Sequence, residues 1–334
     1  MFMFYKMLFS MSLILGTLIT ISSYSWMSMW IGLEINLLSI IPLLSDSKNL
    51  YPSESALKYF ITQALASTIL LFSVIILLNV NDFITQKFNN LILLSLNSAL
   101  LTKMGAAPFH AWFPEVMEGL NWKNSLILLT WQKIAPMILL SYNLNMSMFL
   151  TTIIIISSII SSILGLNQTS LRKLLAYSSI NHIAWMISSM MMSLSIWTIY
   201  FLAYSIITIN IILMFYLLNI FHIKQMILSL NSNKYTKLFL SMNFLSLGGL
   251  PPFLGFFPKW LVINNLVMNS HLLLSIILIS STLITLFFYL RITFSSLMVN
   301  LSENLTYTQS TSKFTIISTN LISLAGLVAC TMTF

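Results

Sequence analysis

Charge is what this sequence has least of. Its 334 residues carry fifteen Lys/Arg and seven Asp/Glu, 7% of the chain, where a water-soluble domain carries about 25% because its surface must face water. That scarcity excludes a soluble enzyme and a disordered chain. The single cysteine, Cys330, cannot form an intrachain disulfide, which excludes a disulfide-stapled secreted module. The net charge of +8 does not point to nucleic acid, because the bases are scattered singly or in pairs instead of clustering on one face. There is no G-x-x-x-x-G-K-[ST] phosphate loop and no Cys/His spacing of the metal-ligand kind. Met190, Met191 and Met192 point about 100° apart on a helix and cannot converge on a metal. What is present is apolar: 58% of the residues are hydrophobic. The chain reads as an all-α polytopic membrane protein, nearly all of it inside lipid.

A bilayer-spanning helix needs about 20 mainly apolar residues. Apolar stretches bounded by polar or turn-forming residues number eleven: 6–23, 25–44, 57–79, 90–113, 125–144, 148–166, 173–192, 196–221, 240–267, 272–294 and 314–333. A transmembrane barrel would need strands of alternating polarity, and runs such as Ile153-Ile154-Ile155-Ile156 do not alternate. Lys6 ahead of the first apolar run resembles a signal peptide, but the next span begins almost at once, so the segment is expected to be retained. The expectation is one membrane domain with no soluble catalytic module.

Charge placement tests the count. With eleven spans the N-terminal side collects Lys6, Lys48, Lys58, Lys123, Arg172, Lys173, Lys224, Lys234, Lys237, Arg291 and Lys313, and the other side only Lys87. Such asymmetry places the N-terminus on the cytoplasm-like side and the C-terminus opposite. Lys103, Lys133 and Lys259 are left over inside spans, and so is Glu34, near the centre of 25–44.

A charge at mid-bilayer costs about 2.5–3.5 kcal/mol even on lenient scales. Burial disfavours the charged forms of Glu34 and Lys103 and mutual pairing favours them, so a pair whose separation or hydration changes is a protonation switch. The plainer alternatives are snorkelling to the interface and a static ion pair holding helices in register. Lys133, eight and eleven residues from the two ends of its span, is poorly placed to snorkel.

Five of the eight prolines fall in two windows, 105–114 and 249–258. Aligned without gaps, both read G-x-x-P-F-x-x-(aromatic)-F-P. Proline removes a backbone donor and obstructs the helix, so both spans should be broken. Irregular backbone at membrane depth is tolerated only inside protein or beside water. The windows lie five spans apart, so their helices should run in opposite directions, as in an inverted repeat. The half-repeats are expected at about 1–144 and 148–294, with 314–333 as a last helix. The same offset relates Glu34's helix to 173–192, where His182 could act as a relay or simply hydrogen-bond a neighbouring serine. Thr282, Thr285 and Tyr289 could line a hydrated path, or the threonines could bond carbonyls of their own helix. Trp26, Trp30, Trp112, Trp122, Trp197 and Trp260 suit interfacial belts.

These residues sit in segments that resemble a known family. Trp30-Ile31-Gly32-Leu33-Glu34-Ile35-Asn36, Lys103-Met104-Gly105 through Pro114-Glu115-Val116, Trp131-Gln132-Lys133-Ile134-Ala135-Pro136, Arg172-Lys173-Leu174 through Asn181-His182, and Gly248-Gly249-Leu250-Pro251-Pro252 up to Lys259 look like its signature segments, in order. The family is the antiporter-like membrane subunits of NADH:ubiquinone oxidoreductase (complex I), subunit 2 of the mitochondrial enzyme in particular. The Met-, Ile-, Phe- and Asn-rich style is similar to that of arthropod organelle-encoded chains.

The resemblance implies proton translocation across the mitochondrial inner membrane, driven by NADH oxidation and ubiquinone reduction elsewhere in a hetero-oligomer. The N-terminus would face the matrix and the C-terminus the intermembrane space. It implies flavin (FMN) and iron–sulfur clusters in other subunits and no cofactor here. The partners would be other membrane subunits and lipid, with no nucleic acid. Glu34 matches the acidic member of the Glu–Lys pair, Lys103 and Lys259 the lysines of the two broken helices, and Lys133 the central relay lysine. Longer members carry additional helices that this chain lacks, and its second half has no glutamate equivalent to Glu34. Two other functions remain open: a stand-alone cation/proton antiporter of the same fold, and a scaffold whose buried charges only fix helix register.

Overall fold

A computed structural model describes residues 4–46, 49–80, 86–144, 146–230 and 234–298. Among the described residues every named element is an α-helix, and the one piece of β pairing is an isolated bridge between Ser170 and His222. The expected last span, 314–333, lies outside them, as do Cys330 and the loop charges Lys48, Asp82, Glu303 and Lys313.

The chain divides into two compact units, Met1–Ile153 and Ile154–Phe334. The first holds α1 (Phe4–Ser22), α2 (Trp26–Leu44), α3 (Leu50–Val80), α4 (Gln86–Met104), α5 (Trp112–Gly119), α6 (Trp122–Leu129) and α7 (Trp131–Ser141). Helix α8 (Ser147–Gly165) starts there and continues into the second unit, which holds α9 (Leu171–Met192), α10 (Leu194–Leu218), α11 (Ile223–Leu230), α12 (Lys234–Gly248), α13 (Phe256–Met268) and α14 (Leu272–Met298). Helices α1, α2, α8, α10, α14 and the Leu50–Leu78 part of α3 are each long and apolar enough to cross a membrane.

Local chemistry sets the ends. Ser25 caps α2, its hydroxyl accepting from the Ser28 amide at 3.3 Å. Helix α3 begins seven residues before the expected span because Pro52 lies in its first turn, where a missing amide costs no internal bond. Asn219, at φ 51°, closes α10 in the left-handed conformation that asparagine tolerates.

In the first unit α1 and α2 approach backbone to backbone: a Cβ on Gly32 would lie 2.5 Å from the Thr20 methyl and 2.9 Å from the Gly16 carbonyl, the use of small residues expected of helices packed in lipid. Apolar side chains such as Leu15, Phe72, Ile276 and Phe287 point outward, where acyl chains satisfy them. Helix α9 is the reverse case. Ser178, Ser179, Asn181, His182, Ser188 and Ser189 are all buried along it, so its neighbours are protein and its low hydropathy follows.

Both proline windows break their helices, and they do so alike. Helices α4 and α12 stop where Gly105 and Gly249 adopt φ of 75° and 80°. The following amides reach back five residues, Ala106 to the Leu101 carbonyl at 3.1 Å and Leu250 to the Leu245 carbonyl at 3.3 Å, the glycine-based Schellman termination. Helices α5 and α13 then restart seven residues after each glycine, at Trp112 and Phe256.

A third break was not expected. The span 125–144 is interrupted at Thr130 (φ −112°, ψ −68°), which separates α6 from α7.

Candidate functional site

Each of the three lysines expected inside the membrane sits beside a helix break, and each is buried. Lys103 occupies the last turn of α4, before the first break. Lys133 lies in the first turn of α7, after the break at Thr130, and is only 1% exposed. Lys259 lies in the first turn of α13, after the second proline window. Helix interruptions leave backbone groups without internal partners, so a break is where a chain inside lipid can hold polar chemistry.

In the first unit, Glu34 and Lys103 interact electrostatically but do not form a direct ion pair. Lys58, by contrast, forms direct ion pairs, with Glu54 at 3.1 Å and Glu115 at 3.4 Å. Oε2 of Glu34 is buried with no hydrogen-bond partner. A cavity beside Lys103 is also lined by Asn36, Tyr59, Gln63, Gln132 and Pro136. Lys133 Nζ lies 5.8 Å from the centre of the Phe113 ring, whose negative face favours a cation. The end of α4 is tied down by the Trp112 indole, which donates to the Thr102 carbonyl at 3.0 Å. Trp112 therefore fastens the break.

In the second unit Lys259 turns back on its own broken helix. Its Nζ donates to the carbonyls of Leu247 at 3.2 Å and Gly248 at 2.9 Å, the last carbonyls of α12, where the helix dipole concentrates negative charge. Gly249 has two reasons to be glycine: its positive φ, and Lys259 Cδ lying 2.8 Å from where a Cβ would stand. Gly255 has one, since its Cβ would fall on the Ser246 carbonyl oxygen.

His182 is buried and shares a hydrogen bond of 2.9 Å between Nδ1 and the Tyr200 hydroxyl. The partner seen at this nitrogen is a tyrosine of the next helix. His182, Tyr200 and Tyr204 line a cavity together with Gly255 and Pro258 of the second break. Thr282 and Thr285 donate to carbonyls three residues back, at 2.8 and 2.9 Å. Thr285 also accepts from the Asn181 amide at 3.4 Å.

The sequence did not single out Tyr59, Gln63, Gln132 or Thr130. Only Pro136, which deprives the Gln132 carbonyl of its helical donor, signals irregularity near Lys133. Among the described residues no group of three or more His, Cys, Asp or Glu is placed to hold a metal.

Comparisons with known proteins agree with this architecture. Residues 23–285 match the family described as NADH:quinone oxidoreductase/Mrp antiporter, TM. The chain is 55% identical to NADH-ubiquinone oxidoreductase chain 2 of Aedes aegypti over 332 residues, covering 98% of this chain and 97% of that one. It is 51% identical to the Anopheles gambiae protein of the same name, again over 98% and 97%. A chain of respiratory complex I from Thermus thermophilus superposes with a TM-score of 0.87 at 21% identity, over 98% of this chain and 79% of that one. A chain of the Mrp complex from a Dietzia species gives 0.80 at 12%, over 95% and 74%.

Proposed function

The chain belongs to the NADH:quinone oxidoreductase/Mrp antiporter transmembrane family, and from that premise we propose that it is a proton-translocating membrane subunit of an NADH:ubiquinone oxidoreductase in the mitochondrial inner membrane. Full-length similarity to proteins named as chain 2 of that complex supports the assembly. The observation that carries the mechanism is that all three intramembrane lysines are buried beside helix breaks. Glu34, Lys103, Lys133 and Lys259 form the proton relay, with His182 as a further member. Glu34 biases the proton on Lys103, Lys133 passes it on, and Lys259 holds it against the end of α12 in the second half. The two halves, about 1–144 and 148–294, are inverted repeats of one plan, an idea supported by the matching glycine terminations of α4 and α12.

Moving one charge against the membrane field costs about 2.3 kcal/mol per 100 mV. The chain has no energy-yielding site of its own among these residues, so the drive comes from electron transfer in partner subunits, which hold FMN and iron–sulfur clusters while this chain holds none. The excess of loop cations puts the N-terminus on the matrix side and the C-terminus on the intermembrane-space side.

Lys133→Ala in the assembled complex is the test. The expected outcome is intact assembly with NADH-driven proton pumping reduced at least ~100-fold, the lower end of what a lost acid–base group costs. Full pumping would make Lys133 a structural residue. Likeness to an Mrp complex favours one second reading, a stand-alone antiporter. Ion-driven proton flux by the isolated chain in liposomes would establish it in place of the pump subunit.

A further inference from the structure

The first unit contains a second cavity beside the one at Lys103 and Asn36. The first is lined by Gln63, the second by Lys133, and Tyr59, Lys103 and Gln132 line both. Each has room for about one ordered water. The side-chain amide nitrogens of Gln63 and Gln132 are fully buried and have no hydrogen-bond partner. Gln63 is 3% exposed. A buried amide left unpaired forfeits its hydrogen bonds to water, so two of them around one lysine is a costly arrangement unless water meets them. Pro136 adds an acceptor at the same place, because it withdraws the helical donor from the Gln132 carbonyl.

We propose that Tyr59 and Gln132 are positioning residues that hold ordered water between Lys103 and Lys133, so that a proton crosses between the two lysines through that water. The inference rests on the relay reading above and supplies its first transfer step. An N–H bond of the Lys103 ammonium breaks and its proton joins a water oxygen. A proton already on that water, or on the next, forms the N–H bond of a neutral Lys133 amine. One proton moves, Lys103 becomes neutral, Lys133 becomes charged, and no electron changes hands. Glutamine suits the wall of such a passage: its amide donates to and accepts from water but does not take up the proton. Tyr59 contributes a hydroxyl while its ring is fixed edge-on to Trp112, centroids 5.7 Å apart.

The test uses the whole complex in membrane vesicles. Gln132→Leu is expected to assemble and to slow NADH-driven proton pumping about tenfold, which corresponds to about 1.4 kcal/mol on the barrier. The solvent deuterium isotope effect should rise, and Gln132→Asn, which restores an amide, should recover part of the rate. Tyr59→Phe should slow pumping about threefold with the same isotope signature, as the loss of one of several hydrogen bonds to water. Pumping within twofold of wild type and an unchanged isotope effect in both variants would overturn the water role. If Gln132→Leu does not assemble, Tyr59→Phe decides by the same criteria, since its ring packing is retained. Lys103→Met is measured beside them. Loss of pumping there with silent Gln132 and Tyr59 variants removes the water role alone, whereas normal pumping in Lys103→Met removes the relay on which it rests.

Discussion

The first broken helix carries its lysine before the interruption, and the second carries it after. With Gly105 aligned on Gly249, Lys103 falls on Leu247, and Lys259 falls on Glu115, which pairs with Lys58. The two lysines are therefore not counterparts in the repeat, although both lie against a break. Their counter-charges differ accordingly. Lys103 feels a carboxylate, Glu34, held short of ion-pair distance, and its surroundings are amides and a phenol that water can bridge. Lys259 needs no carboxylate, because it sits on the last two carbonyls of α12 and draws on the negative end of that helix. The missing second glutamate is thereby accounted for: backbone takes the place of a side chain.

This contrast can be broken most severely at Gly249. Gly249→Ala must hold a left-handed residue, about 1–2 kcal/mol, and must also push Lys259 from its carbonyls. Pumping is expected to fall about a hundredfold in complex that still assembles at reduced yield, measured as proton uptake per assembled complex. A near-normal rate would show that the end of α12 is not the partner that matters. Glu34→Gln probes the other side. It keeps shape and removes charge, and is expected to slow pumping about tenfold while leaving assembly intact; a fall as large as that of Gly249→Ala would mean that both lysines depend on Glu34. The smallest effect belongs to Glu115→Gln. Glu115 occupies the position aligned with Lys259 but lies at an exposed ion pair, of a kind that contributes little, so pumping should stay within about twofold of wild type by the same reasoning. A larger loss would restore functional equivalence to the aligned position.

Much of this was legible in sequence where punctuation is chemical. Gly105 and Gly249 announce breaks by suiting a left-handed backbone, Pro108 and Pro252 by obstructing a helix, and Lys103, Lys133 and Lys259 announce themselves by their cost in lipid. The break at Thr130 was not legible. Threonine is unremarkable in a membrane helix, and its hydroxyl here simply donates to the Leu126 carbonyl at 2.8 Å. Gln63 and Gln132 were silent for a related reason: an isolated amide in an apolar run reads as tolerated polarity until the fold turns it toward a lysine. The partner of Lys259 could not be read at all, because carbonyls carry no letter. A hydrogen bond at His182 was foreseen, but Tyr200 as a partner was not, since it lies eighteen residues away on the next helix.

Gly16 gives the architecture a consequence for reading inherited variation. It lies on α1, which carries none of the relay residues, yet a Cβ there would strike the Asn36 side-chain oxygen, two positions beyond Glu34 on the neighbouring helix. A variant replacing Gly16 would look, on a map of the buried charges, like a harmless change in a helix that carries none of them. On the relay reading its effect should instead be a disturbed Lys103 cavity, which Asn36 lines, with the complex present in normal amount and the membrane poorly energised.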